Sequence, residues 1–399
     1  MTLLLMIGVD TIHKTILREN HTISIKKYAI QCCFAEMFAL LLYATYQLLQ
    51  IQLLSQDDVN VLQKIVDVES LEMDFWTPLT DLDNYDKPII AFVPPSSVNL
   101  LIESLEKSKI SYSNITDVFR KNFNNHVQML KDKKHKMKTS KILSTFTLNE
   151  YHTLAEIHWY MQALSRKHPQ IVKLINIGYS SEGRPLLAVK LAENYENTKE
   201  IQFILNKYSF YILPVVNPDG YDYSWKSERF WRKSRSKHNC TFWSCCVGVD
   251  LDSIDLRGHP CRPDYPGPFP FSESETRAVS KFLSENQQHI LLAISLHSFG
   301  KLLTVPYSFK SDEVENSNFQ TYTARHFLQA TAFKNEFYTL TQAYKNYNIP
   351  LAYSIKLPPT PNEPYGFLLP EDHIVPVSIQ AFEGILNMVE VYIKTKRDG

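Results

Sequence analysis

Residues 291–299 have the sequence LLAISLHSF, and residues 208–217 have the sequence YSFYILPVVN. Both runs are almost continuously apolar, which is typical of strands buried on both faces of a sheet. Residues 185–192, PLLAVKLA, form a third strand-like run. The three runs predict a sheet that is covered on both sides.

Amphipathic helices separate these predicted strands. Residues 151–169 have apolar positions at helical spacing and end at Pro169. Residues 272–288 open with a capping box from Ser272 to Glu275. Alternation of helices with buried strands predicts an α/β fold with helices on both faces of the sheet.

A smaller α/β unit is predicted over residues 56–128. KPIIAFVPP at 87–95 alternates as a strand and stops at its prolines. SSVNLLIESLEKS at 96–108 has one apolar helix face.

The two units are joined by residues 129–146, which are rich in Lys and His and have no apolar period. We interpret this segment as an exposed basic linker that a trypsin-like protease would cut. The larger unit then spans residues 147–396.

The first 55 residues allow three interpretations. The chain has no charged residue from Met37 to Leu54, and Lys26 and Lys27 precede this run. It resembles a signal peptide, although small residues at a cleavage site are missing. Its length also suits a membrane anchor within residues 28–54, and an unrelated extension is the third alternative.

Composition and charge exclude several classes of protein. Hydrophobic residues make up 44% of the chain and charged residues 21%, as in a globular protein. Lys plus Arg and Asp plus Glu both number 42, so the net charge is zero. We therefore expect no nucleic-acid partner.

The six cysteines favour disulfides over a metal site. Four of them lie within one stretch, at Cys240, Cys245, Cys246 and Cys261. They lack the paired C-x-x-C spacing of a zinc site. N-x-[ST] sequons are present at Asn20, Asn114 and Asn239. Both features predict a secreted protein.

Several segments carry a resemblance to a known family. They are LEMDFW (71–76), YHTLAEIHWYM (151–161), SEGRPLLAVKL (181–191), VVNPDGYDYSW (215–225), ERFWRKSRS (228–236), CCVGVD (245–250), ISLHSFGKLLTVPYSF (294–309) and YGFLLPEDHI (365–374). In this order they resemble the pancreatic-type zinc metallocarboxypeptidases, the carboxypeptidase A/B family of peptidase family M14, with their activation peptide. The resemblance covers residues 56 to 395.

The resemblance implies a mixed twisted β-sheet between helices, preceded by a small prodomain that caps the active-site cleft. It implies removal of the C-terminal residue of a peptide by zinc, held by two His and one Glu with water in the fourth position. Zinc polarises the carbonyl and lowers the pKa of the water, and a second Glu takes its proton. Arginines stabilise the oxyanion and bind the terminal carboxylate. The implied partners are peptide or protein C-termini and a trypsin-like activating protease, and we expect a monomer.

Three parts of the family pattern are retained. His297 matches the third zinc ligand, and Arg232 matches the oxyanion-stabilising arginine. Cys246 and Cys261 match a family disulfide. Cys240 and Cys245 then either pair with each other or stay free.

The other two zinc ligands are missing. They belong to an H-x-x-E motif, and none of the 13 histidines is followed by Glu at the third position. The motif, its strand and an oxyanion arginine are absent together between residues 185–192 and 208–217. His152 and Glu156 share a helix face, but capping or surface placement is the expected role of His152, and the same holds for His158 and His168.

The carboxylate grip and the catalytic Glu are also missing. The position of the family's Asn–Arg pair holds Asp252 and Ser253, and an aspartate there repels a carboxylate. The position of the catalytic Glu holds Lys356 or Pro358, depending on the gap, and Glu363 lies nearby.

We therefore predict a family member that is inactive or severely impaired. One alternative is an active zinc carboxypeptidase with relocated ligands. Another is a non-enzymatic homologue that binds peptides, or whose propeptide-like unit (57–128) inhibits an intact relative. The missing parts of the family pattern are whole segments of sequence, which is also typical of an altered transcript or gene model. Loss of a central strand would expose two edges of the sheet.

Overall fold

A computed structural model of the protein describes residues 3–8, 45–68, 73–77, 88–139, 146–191, 204, 208–237, 239–240, 245–251, 259–305, 317–331, 334–339 and 347–395. The elements up to the start of the larger unit are β1 (Leu3–Gly8), β2 (Gln47–Ile51), α1 (Gln56–Val68), β3 (Asp74–Phe75), β4 (Ile89–Val93), α2 (Pro95–Lys107), β5 (Tyr112–Asn114) and α3 (Thr116–Thr139). Those that follow are α4 (Leu154–Lys167), β6 (Val172–Tyr179), β7 (Pro185–Leu191), β8 (Ser209–Leu213), α5 (Pro218–Lys226), β9 (Asn239–Cys240), β10 (Cys245–Cys246), α6 (Ser274–Asn286), β11 (Ile290–Ser298), β12 (Leu302–Val305), α7 (Ser317–Ala330), β13 (Lys334–Thr339), β14 (Leu351–Leu357) and α8 (Ile374–Thr395).

The large sheet contains eight of the described strands in the order β13-β12-β14-β11-β1-β8-β7-β6. Strands β11 and β14 are parallel, whereas β12 is antiparallel to β14. Strands β6, β7 and β8 are antiparallel in succession. The sheet is therefore mixed, as the resemblance implies.

Helices cover both faces of this sheet, and β11 shows why. Leu292 and Ile294 lie in an apolar cluster with Phe327 of α7 and Met388 of α8. Ala293, between them, packs instead with Leu283 of α6. Successive residues of a strand point to opposite faces, so the two clusters lie on opposite sides. The predicted α/β fold is confirmed.

The small unit is built on the four-stranded sheet β3-β4-β2-β5. Ile89 and Ala91 of β4 pack with Leu62 of α1 on one face. Phe92 points to the other face, where it packs in a cluster that includes Phe230 of the larger unit. One face of the small sheet thus forms its own core, and the other face contacts the larger unit.

The structure corrects the interpretation of residues 1–55. Strand β2 pairs with β4 and β5, so the small unit begins before residue 56. Strand β1 pairs with β8 and β11, so residues 3–8 are part of the large sheet. Residues 9–44, which hold most of the signal or anchor candidate, lie outside the described residues.

The structure also changes the predicted linker, because helix α3 continues to Thr139. Lys and Arg are good helix formers, so a lysine run on its own does not exclude a helix. The ammonium of Lys133 is nearly buried, donates to the backbone oxygen of Tyr151 and lies 3.3 Å from the Glu150 carboxylate. Residues 129–139 are therefore helical, and residues 140–145 lie outside the described part.

Among the described residues, the helical segment Glu371–Thr395 is long and apolar enough to cross a membrane, judged by length and composition. Its helix α8 supplies Met388 and Ile385 to the core beside the large sheet.

Candidate functional site

A cavity of about 1610 Å³ lies between the large sheet and the small unit. Its lining includes His297 and Ser298 at the carboxyl end of β11, and Arg232 and Asp250 from the loops that follow α5. The small unit contributes Asp74. Two of the residues singled out from the sequence, His297 and Arg232, therefore line the same cavity.

Lys356 lies beside His297. The two residues are register partners on the parallel strands β11 and β14. Register partners project to the same face of a sheet, so the two side chains leave their strands on the same side. Lys356 is only 9% exposed. Of the two alternatives for the catalytic-Glu position, Lys356 is the one that lies on the strand next to His297.

Glu363 is held away from this pair by its own turn. Its Oε2 accepts hydrogen bonds from the backbone N–H of Thr360 at 2.7 Å and from the Thr360 hydroxyl at 2.8 Å. The side chain is exposed. It therefore caps a local turn rather than replacing the missing carboxylate beside His297.

Arg232 is shared by two carboxylates. Its guanidinium lies 3.2 Å from the Asp74 carboxylate and 2.9 Å from that of Asp250. Burial raises the pKa of Asp74 above its usual value, although the positive charge of Arg232 acts to lower it. Because Asp74 belongs to the small unit, a carboxylate of that unit forms an ion pair with the arginine of the cleft.

A second polar contact joins the two units at His126 of α3. The Nε of Arg229 donates to the Nε2 of His126 at 2.7 Å, and another guanidinium nitrogen donates to the backbone oxygen of Phe367 at 3.0 Å. Burial, assisted by the charge of Arg229, lowers the pKa of His126 to about 3. The imidazole is therefore a neutral acceptor at ordinary pH.

Trp76 is the centre of the contact between the units. It is 5% exposed, and its ring packs against aromatic rings from both units. These rings belong to Phe92, Phe119, Phe230, Phe299 and Phe367. Phe299 follows the end of β11 directly, so this apolar contact lies next to His297.

Comparison with known proteins explains this arrangement. The sequence profile described as "Zinc carboxypeptidase" matches residues 157–194 and 186–384. The chain belongs to the zinc carboxypeptidase family. A second profile, "Carboxypeptidase activation peptide", matches residues 49–118, which agrees with a small unit that starts near β2. The two matched segments overlap at residues 186–194, directly before the region of about residues 193–207 in which we expect the family's H-x-x-E motif and its strand to be missing.

Individual relatives cover most of the chain. Human carboxypeptidase A6 is 27% identical over 400 residues, which is 85% of this chain and 88% of the relative. Pig (Sus scrofa) carboxypeptidase A1 is 27% identical over 408 residues, covering 87% and 94%.

Among solved structures, thrombin activatable fibrinolysis inhibitor has a TM-score of 0.69 at 24% identity, covering 88% of this chain and 99% of that one. Carboxypeptidase A from Helicoverpa armigera has a TM-score of 0.72 at 19% identity, covering 87% and 97%. These two likenesses support the fold.

The family's zinc does not fit the residues that the structure describes. They contain no group of three His, Cys, Asp or Glu side chains that could hold a metal ion. Zinc needs at least three protein ligands, and cations such as Lys356 and Arg232 oppose its charge. Of the zinc ligands that the resemblance implies, His297 is the one found among the described residues that line this cleft.

The three histidines considered as substitutes lie in α4 or next to its ends, with His168 as its C-cap. His152 Nε2 lies 2.6 Å from the backbone oxygen of Thr147, and its ring stacks on Phe146. Glu156, 3.7 Å from His152, accepts from the backbone of Thr153 in the capping box of α4. Burial lowers the pKa of His158.

The remaining sequence candidates are placed as follows. Cys246 and Cys261 are joined by a disulfide with Cα atoms 4.7 Å apart. Cys240 and Cys245 are register partners on β9 and β10. Asp252 and Ser253 lie outside the described residues.

Sequence reasoning missed the residues of the small unit that enter the cleft. Asp74 and Trp76 lie in the LEMDFW segment, which carried the resemblance but was given no role of its own. The sequence does offer one signal for a contact with the cleft. The segment resembles a capping prodomain and has an acidic residue two positions before a tryptophan. Its partner Arg232 is distant in sequence, so only the tertiary structure pairs them.

A separate carboxylate cluster of the zinc carboxypeptidase unit lies at the N-terminal end of α6. Glu275 is fully buried, and its Oε1 accepts from the backbone N–H of Ser181 at 3.1 Å. Burial raises the pKa of Glu275 to about 7, and the charges of Asp219 and Glu273 add to the rise. Asp219 is held by Arg184 at 2.7 Å, whereas the Oε2 of Glu275 has no hydrogen-bond partner within the described part of the chain.

We expect Glu275→Gln to stabilise the protein at pH 8 by up to about 3 kcal/mol, from a pKa difference of roughly 2.5 units. The folded-state pKa of about 7 lies above the ordinary value of 4.5, so the stability that this carboxyl contributes is fully present below pH 4.5 and is lost as the pH rises through 7. Urea unfolding at pH 4.5 and pH 8 measures the difference. The exposed Glu103→Gln serves as the control, and an advantage of Glu275→Gln that is equal at both pH values would contradict the prediction.

Proposed function

We propose that this chain is a catalytically deficient zinc carboxypeptidase homologue whose cleft is capped by its activation-peptide unit. The observation that carries the proposal is the pairing of His297 with the buried Lys356. A lysine ammonium is a donor with no acceptor, so it cannot take a proton from water as a carboxylate does. It also adds a positive charge on the strand next to His297, the residue that matches the family's third zinc ligand, and like charges repel.

The residues that remain can bind but are not arranged for hydrolysis. Arg232 has the charge and the planar donors to hold a carboxylate, and in the capped state it holds that of Asp74. We infer that Asp74 stands in for the carboxylate of a peptide or protein C-terminus. Such C-termini are the proposed partners once the cap has moved.

The proposed trigger is a trypsin-like protease acting between residues 129 and 146, outside the cell. Lys131 is exposed, whereas Lys133 is nearly buried against Glu150 and Glu156. A protease needs an accessible and extended backbone, so Lys133 is the least suitable of these lysines. Cleavage elsewhere in the segment would cut the covalent link between the units.

The test of deficiency is the zinc content of the purified full chain after loading with zinc and dialysis. We expect far less than one ion per chain, because a single imidazole beside two cations binds zinc weakly. Pig carboxypeptidase A1 is the comparison protein for the same loading and dialysis. One tightly held zinc per chain that is lost in His297→Ala would overturn the proposal and favour relocated ligands.

A further inference from the structure

The first residues of the chain supply a central strand of the large sheet. Strand β1 (Leu3–Gly8) pairs with β11 over its whole length and with β8 from Leu4 to Gly8. Met6 is the register partner of Ala293 on one side and of Tyr211 on the other. The strand is therefore hydrogen-bonded along both edges.

This strand comes before the activation-peptide unit in the sequence but belongs to the sheet of the zinc carboxypeptidase unit. Strands β8 and β11 are both antiparallel to β1 and therefore parallel to each other. Neighbouring strands lie about 4.8 Å apart, so removal of β1 would leave a gap of about one strand and two unpaired edges. Buried backbone groups without partners are costly, so this gap needs an occupant.

The sequence of β1 suits that position. LLLMIG has no charged or polar side chain, as expected of a strand covered on both faces. Met6 is completely buried in a cluster with Leu283 of α6, Ile290 and Ile349. Met6 therefore packs the N-terminal strand into the apolar core on the α6 side of the sheet.

We infer that residues 3–8 are a replacement strand, supplied by the chain to its own carboxypeptidase sheet, and that they stay in the folded protein. It follows that the linker is not the only connection between the N-terminal part and the larger unit. A protease that cuts between residues 129 and 146 would leave the N-terminal part attached through this strand.

The direction of β1 explains how the sheet is completed while the metal site is not. Because β1 is antiparallel to β11, its Leu3 end lies near His297, with Leu3 as the partner of Leu296. Its Gly8 end lies at the other end of β11. None of residues 3–8 is a His, Asp, Glu or Cys. The strand restores backbone pairing and contributes no zinc ligand of these types.

Hydrogen exchange on the intact full chain tests the pairing directly. We expect amides of residues 4–8 to be protected as strongly as those of the central strand β14, together with their partners in β8 and β11. Fast exchange of residues 4–8 with strong protection of β8 and β11 would overturn the inference, because another segment would then fill the gap.

A pair of matched substitutions provides a second test. Met6→Asp places a charge at a fully buried position, whereas Leu148→Asp changes a side chain that is 68% exposed. We expect Met6→Asp to lower the melting temperature by about 10 °C or to prevent folding, and Leu148→Asp to change it little. Equal effects of the two substitutions would contradict the inference.

Limited proteolysis distinguishes a strand that is held in the sheet by its pairing from one that is attached only by the covalent chain. Trypsin cleavage after Lys14 would leave β1 on a short peptide. We expect this peptide to elute with the larger unit in native gel filtration and to be released by urea. Free elution without urea would overturn the inference, as would a dimer in which two copies exchange the strand.

Discussion

After cleavage of the linker, the protein is expected to release no C-terminal residue from peptides ending in either basic or hydrophobic residues. The described cleft has His297 and Arg232 but no carboxylate beside them that is free to accept a proton from water. Removal of several members of a catalytic unit reduces turnover on the order of 10⁶-fold. Mass spectrometry of peptides incubated with the cleaved protein measures the result.

Two variants sharpen this prediction. His297→Ala is expected to leave the product yield unchanged, because the background reaction does not pass through this imidazole. Lys356→Glu is expected to remain inactive as well, because it restores a carboxylate without the two missing zinc ligands. Peptide hydrolysis that His297→Ala abolishes would contradict the proposed deficiency and identify an active enzyme with relocated ligands.

The fold was predictable from the sequence for those elements whose burial follows from their own residues. The apolar run of β11 predicts a buried strand, and the ordered motifs identify the family. Strand β4, which we expect to alternate, is instead buried at all five of its residues. Residues 291–298 of the predicted run lie in β11, which is covered on both sides as the sequence predicts, and Phe299 follows the end of the strand. His297 is the penultimate residue of this strand, at the point where the apolar run gives way to His297 and Ser298.

The N-terminal strand was not predictable, because its pairing is not local. LLLMIG has the composition of a buried strand, but it is equally typical of a leader segment. Its partners lie far along the chain, with Leu4 opposite Leu213 and Ser295. No local sequence pattern predicts this pairing register, because the register depends on the gap between β8 and β11.

The linker and the catalytic-Glu position show two other limits. Hydropathy assigns the lysine run after residue 129 to solvent, but a tertiary contact with Glu150 keeps Lys133 nearly buried. Sequence spacing left Lys356 and Pro358 as equal alternatives because the gap length was unknown. In the structure Lys356 is the register partner of His297 on β14, whereas Pro358 follows the end of that strand.

The aromatic contact around Trp76 is expected to hold the activation-peptide unit on the cleft. Its indole packs against rings of the small unit and against Phe230, Phe299 and Phe367 of the larger unit. Trp76→Ala removes most of this buried surface and leaves a cavity, because the surrounding rings are fixed by their own packing. We expect a loss of about 3–5 kcal/mol in the free energy of unfolding.

The same substitution distinguishes a structural contact from a capping contact. Phe269→Ala, at a position 59% exposed, is the control and should cost much less. If Trp76 holds the cap, hydrogen exchange in Trp76→Ala should rise in β3 and around Arg232, while the strands β11 and β14 stay protected. The ion pair between Asp74 and Arg232 depends on this docking, since one long side chain cannot hold two separate units together in water. Stability and exchange equal to those of Phe269→Ala would show that the units are joined elsewhere.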